Sequence, residues 1–246
     1  MAIRNIRLII SYDGVNYSGW QNQPEKFTIQ GELERVLSEL TALEVPINGA
    51  SRTDAGVSAL GQVANFLIDS PIPTENFAKA INHRLPKDIF VLDAEQVDRN
   101  FDASVSAKNK LYRYIIFTAD KPNVLQIRNC WFRPGELDVA AMNKAAGMLV
   151  GTHDFKSFAA AADNRENTVR MVMECRVYGD GQWVYMEIRA DRFLYNMVRN
   201  IVGTLVEIGT GKWPPEKIKE ILAAKDRTAA GPIAPPQGLC LVSITY

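Results

Sequence analysis

The nonapeptide Gly49-Ala50-Ser51-Arg52-Thr53-Asp54-Ala55-Gly56-Val57 constrains the fold more than any other stretch of the chain. It lies between two apolar runs, Leu43-Glu44-Val45-Pro46-Ile47 and Gly61-Gln62-Val63-Ala64-Asn65-Phe66-Leu67-Ile68, the second alternating as a strand does. The space between them is too short for a helix of normal length, so the stretch reads as a strand-loop-strand. That loop displays one carboxylate, Asp54, close to one guanidinium, Arg52. A cation within salt-bridge reach favours the charged form of a carboxyl group, which suits a catalytic Asp. The plain alternative is an Asx turn, with Asp54 bonding backbone amides and Arg52 solvated.

The other elements follow from periodicity. Ile3 to Tyr12 reads as a strand with Ile6, Leu8 and Ile10 on one face, ending at Asp13-Gly14. Thr28 caps a helix whose stripe is Ile29, Leu33, Val36, Leu37, Leu40 and Leu43. A second helix opens at Pro73-Thr74 and runs to about Arg84, and strands follow at Ile89 to Val97 and Lys110 to Phe117. In the latter strand Tyr112 and Tyr114 share one face and Arg113 takes the other, for cross-strand packing or for a site. Strand, helix, strand, strand, helix, strand is a ferredoxin-like order.

Pro122 to Pro134 reads as a connector. Beyond it, Leu137 to Leu149 is helical, Gly151 to Phe155 a loop, and Thr168 to Val177 and Gln182 to Ala190 a hairpin. A long helix is expected from about Arg192 to Glu207, a short one ending near Ala224, and a closing strand at Leu239 to Ile244. The expected fold is α+β, with an N-terminal half over 1–120, a connector over 121–136 and a C-terminal half over 137–246.

Arg192, Asn196, Arg199 and Gly203 recur at helical spacing on an otherwise apolar helix. A buried arginine needs a partner. Either a core carboxylate serves, or Arg199 pairs with Asp54 and each keeps the other charged. Gly203 would let another backbone approach closely.

Composition excludes little. The 28 Lys and Arg balance 28 Asp and Glu, which counts mildly against nucleic acid but allows a basic cleft offset by acidic surface. Two histidines and three scattered cysteines offer no zinc spacing and suit a reducing compartment. No apolar stretch of transmembrane length and no signal-peptide profile is seen, so a soluble, cytoplasmic protein is expected.

Read as a string, Arg52-Thr53-Asp54-Ala55-Gly56-Val57 with Gly61-Gln62-Val63 closely resembles the signature of the tRNA pseudouridine synthase A family. Tyr12-Asp13-Gly14 and Gly19-Trp20-Gln21, Lys110-Leu111-Tyr112-Arg113-Tyr114, Gly151 to Phe155 with Ser157-Phe158, Phe193-Leu194 with Met197-Val198-Arg199, and Gly238 to Leu241 resemble further motifs in the family's order. The resemblance implies the pseudouridine synthase fold, in which two ferredoxin-like halves share an extended, mostly antiparallel sheet, with helices packed on it and a central catalytic cleft.

It also implies an isomerase converting uridine to pseudouridine at nucleotides 38, 39 and 40 of the tRNA anticodon arm, with no redox cofactor, nucleotide or metal. Asp54 would be the catalytic carboxylate, Arg199 its partner, Tyr112 the stacking aromatic and Leu239 an apolar wall. Arg52 would fill the space of the flipped nucleotide or grip phosphate, and Lys110, Arg113, Arg165 and Arg170, with Lys108, are candidate phosphate contacts. Family members act as homodimers that spread one tRNA over both subunits. Ser58, Asp102 and Ser104 depart from the family pattern, which often has His at the first and reads Phe-His-Ala-Arg across the others. A catalytically idle tRNA-binding paralogue, or a hydrolase using Asp54 on a small nucleoside, is the alternative.

Overall fold

Strand β1, Arg4–Tyr12, opens the computed structural model, which describes residues 3–246. Its alternation decides its facing, because Ile6, Leu8 and Ile10 are fully buried. Helix α1 is Ile29–Thr41, with the Thr28 side chain accepting from the Gly31 amide. It stops short of Leu43 because Ala42 takes the left-handed conformation, φ 54°, and Leu43 stands outside the stripe, half exposed. The short β2, Asn48–Gly49, pairs with β3, Ser58–Ile68. Helix α2, Phe77–Asn82, and strand β4, Ile89–Val97, follow.

β1 is antiparallel to both β3 and β4. These strands form one compact unit, the chain up to Lys108 together with Leu241–Tyr246. Its sheet runs β4-β1-β3 with β2 on β3, the ferredoxin-like order, and the closing strand β10, Leu239–Thr245, lies on the other side of β3. Backbone contact there is close, since a Cβ at Gly61 would lie 2.7 Å from the Val242 carbonyl oxygen.

The second compact unit is Asn109–Cys240. It holds β5, Asn109–Phe117, β6, Trp131–Phe132, α3, Val139–Gly147, β7, Gly151–Asp154, β8, Val169–Asp180, and β9, Trp183–Ala190. Helices α4, Met197–Gly209, and α5, Lys217–Ala224, complete it. The order is β5-β9-β8-β7, with β6 parallel to β5.

Several expectations shift. β5, expected to close the first half, pairs along its whole length with β9, from Lys110↔Ala190 to Phe117↔Trp183, and so belongs to the second unit. The expected connector carries β6. Gly151–Asp154, expected as a loop, is a strand because it pairs antiparallel with β8. The long helix begins at Met197, not Arg192, because Asn196 is left-handed at φ 59°. No helix among the described residues is long and apolar enough to cross a membrane.

Candidate active site

In the first unit the Asp54 loop alternates in and out. Ser51 and Thr53 are buried, Arg52 is exposed and Asp54 is half-buried. The inward groups are fastened by the fully buried Gln62, whose Oε1 accepts from the Ser51 amide at 3.2 Å and whose Nε2 donates to the Ser51 carbonyl at 2.6 Å. The Thr53 and Tyr12 hydroxyls share a hydrogen bond of 2.8 Å. A turn closes the loop, the Val57 amide donating to the Asp54 carbonyl at 3.1 Å, with Gly56 at φ 78°.

A second layer comes from residues 12–20. The Trp20 amide donates to the Thr53 carbonyl at 3.0 Å and the Gly56 amide to the Tyr17 carbonyl at 3.3 Å. Gly14 and Gly19 are needed for this approach. A Cβ at Gly14 would overlap the Val57 carbonyl, and one at Gly19 would lie 2.7 Å from the Thr53 oxygen at a φ of 94°. The Trp20 ring lies directly against Gly49. The aromatic, glycine-rich segment is therefore the scaffold of the Asp54 loop.

Two departures from the family pattern have structural uses. The Ser58 hydroxyl accepts from the Gly14 amide at 3.1 Å. Asp102 closes a turn by accepting from the Ser104 and Val105 amides, both at 2.8 Å. Burial pushes its carboxyl up, but these bonds and one from the Asn48 side chain outweigh that and hold it below the usual range.

In the second unit, Lys110, Tyr112 and Tyr114 share one face of β5. The buried Tyr112 ring meets Phe193 edge-on, centroids 5.1 Å apart. The Tyr114 hydroxyl donates to the Pro235 carbonyl at 2.7 Å, and Gly238 lies flat on its ring, a Cβ there falling 2.6 Å from Cζ. These contacts deliver the buried Leu239. Arg199 is aimed by Ala234, whose carbonyl accepts from Nε at 2.8 Å, and by Asn196, whose Oδ1 accepts from Nη1 at 3.2 Å. Ala234 can reach it because Gly203 admits the Pro232 carbonyl against α4, as its spacing suggested.

The expected cations divide. Arg113 is on the opposite face of β5, where Glu187 accepts from its Nε at 2.8 Å. Arg176 shares that carboxylate, Nη2 to Oε2 2.5 Å. Burial raises the Glu187 pKa, but the hydrogen bonds and charges of Arg176 and Arg113 hold it below the ordinary carboxylate range.

Lys110, Arg165 and Arg170 gather at the Tyr112 end of the sheet. Burial, then the charges of Arg192 and Arg165, bring the Lys110 ammonium down to about 8. Arg170 is lowered by burial and by Arg165. Arg192 belongs to this cluster and was not expected there, because it reads as the first turn of a helix that starts later. Its adjacency to Phe193 was the available signal.

A family described as tRNA pseudouridine synthase matches residues 8–104 and 145–246. Proteins named tRNA pseudouridine synthase A are similar over nearly all of the chain. The one from Acetivibrio thermocellus is 43% identical over 244 residues, covering 99% of this chain and 100% of its own. That of Ruminiclostridium cellulolyticum is 46% identical over 246 residues, with 99% and 100% covered. That of Moorella thermoacetica is 46% identical over 243 residues, with 98% and 99% covered.

Proposed function

Because this chain belongs to the tRNA pseudouridine synthase family, we propose that it isomerises uridine at nucleotides 38, 39 and 40 of the tRNA anticodon arm, using an ionised Asp54. The observation that carries this reading is the Asp54 loop, which presents one half-buried carboxylate on a doubly braced backbone. A positioned nucleophile or base needs such rigidity, since small displacements of a reacting group are costly in rate.

The reaction breaks the N1–C1′ bond of uridine and forms a C5–C1′ bond. The C5 proton passes to solvent and N1 is protonated, so nothing is oxidised or reduced. Asp54 attacks C1′ or removes a ribose proton to give a glycal. Arg199 keeps it ionised. Tyr112 stacks on the detached uracil, an interaction worth about 1–3 kcal/mol, and Leu239 closes the apolar side. The nucleotide is flipped out of its stack to be reached, and Arg52, exposed beside Asp54, fills the gap or grips phosphate. Lys110, Arg165 and Arg170 supply phosphate contacts, and Arg113, engaged by Glu187, contributes less. The working form is a cytoplasmic homodimer with one tRNA held across both copies.

Tritium release from tRNA labelled at uridine C5, wild type beside Asp54→Ala, tests the reading. Release by wild type and none by the variant is the expected result. Equal release by both would remove Asp54 from the chemistry, and chemical mapping of the product gives the nucleotides modified.

A further inference from the structure

The register across β5, β9 and β8 sets Lys110 level with Ala190 and Ala190 level with Val172, while Tyr112 is level with Ile188. Alternation then puts Tyr112, Lys110, Ala190, Val172 and Arg170 on one face. Arg170 is only 9% exposed. Its Nη1 donates to the Asn167 carbonyl at 3.0 Å and the Val169 carbonyl at 2.6 Å, but its buried Nε has no hydrogen-bond partner among the described residues. A buried, unsatisfied donor on a cation is costly.

Two carboxylates adjoin, and the backbone engages both. Asp163 accepts from the Tyr195 amide at 2.8 Å and lies 3.5 Å from Arg165. Asp191 accepts from the Met171 amide at 3.0 Å and the Arg192 amide at 2.7 Å. Arg165 Nη1 also donates to the Phe193 carbonyl at 3.1 Å, which ties this cation to the residue packed on Tyr112.

We propose that Lys110, Arg165, Arg170 and Arg192 form one pocket for a single RNA phosphodiester, the one adjoining the nucleotide whose base stacks on Tyr112. Two residues of strand separate Lys110 from Tyr112, about 7 Å on one face, which suits the reach from a stacked base to its own backbone phosphate. The planar guanidinium of Arg170 gives the pocket a directional floor, with its free Nε as the donor. Arg165 and Arg192 close over the anion, and Arg165 leaves Asp163 to do so. The pocket rests on the proposed function and narrows it to one phosphate of the substrate.

The test is a cycle on an anticodon-arm RNA in which an uncharged methylphosphonate replaces the phosphate 5′ to the target uridine. Its affinity is measured for wild type, Arg170→Gln and Arg192→Gln, with tritium release from the unmodified arm followed in parallel. Wild type should lose about tenfold on the modified RNA, as expected for a charge-assisted contact. Each variant should lose less than about twofold further, because the contact is already gone. If Arg170→Gln does not fold, the exposed Arg192 carries the same cycle. Equal, additive losses, with tritium release intact, overturn the pocket alone. Absence of release by wild type overturns the reading beneath it, whatever the cycle gives.

Discussion

The Asp54 loop and the Lys110 end of β5 solve opposite problems. Around Asp54 the inward donors and acceptors are matched, Ser51 by Gln62 and Thr53 by Tyr12 and Trp20. Around Lys110 four cations are collected and one buried guanidinium nitrogen is left without a bond. A catalytic group gains from surroundings that are complete before substrate arrives. A binding site gains from surroundings that substrate completes. Glu187 marks the contrast on the other side of the same sheet, where Arg113 and Arg176 are already satisfied.

The largest expected effect comes from Asp54→Asn, which keeps the loop and removes the charge. Single-turnover tritium release should fall by about 10³-fold or more, while affinity for tRNA stays within about threefold. A comparable fall in affinity would mean that the loop binds as much as it reacts.

Gly14→Ala probes the same rigidity from behind. Its Cβ would overlap the Val57 carbonyl, so thermal unfolding should report a loss of about 2–3 kcal/mol, with turnover falling more than affinity. An unchanged turnover would show that the bracing is dispensable.

Glu187→Gln tests the satisfied cations. It should cost about 2 kcal/mol of stability at neutral pH with little change in tRNA affinity. Since the folded Glu187 pKa lies below the unfolded value of about 4.3, its contribution is full above that pH. It fades as pH falls through the folded pKa, and acid titration of the variant should be flatter there. A large rise in RNA affinity would instead show that Arg113, once released by Glu187, acts as a phosphate contact.

The smallest effect concerns Lys110. With its pKa at about 8, it is charged below that pH and neutral above it. Anticodon-arm affinity should weaken about threefold between pH 7 and 9, with a shallower salt dependence, and Lys110→Arg should abolish the change. A flat wild-type profile would take Lys110 out of the pocket.

Much of this was readable in the residues. The alternation of β1 and β5 gave their faces correctly, and Gly203 announced a close backbone approach that Pro232 makes. Where a left-handed residue ends a periodic run, the pattern reads straight through, as at Ala42 and Asn196. That is why Leu43 and Arg192 read as parts of helices they do not join. Pairing partners are non-local, so nothing in Gly151–Asp154 itself marks it as a strand. The facing of Arg113 was legible, but its neutralisation required Glu187, 74 residues away.

Trp20 is 2% exposed, its amide holds the Thr53 carbonyl and its indole lies on Gly49 at the head of the Asp54 loop. The chain therefore carries its own optical reporter. With Trp131, Trp183 and Trp213 replaced by Phe, the remaining emission would come from one indole whose surroundings are that loop. Wavelength and quenching would follow the order of the loop in real time, without a label, as RNA is mixed in.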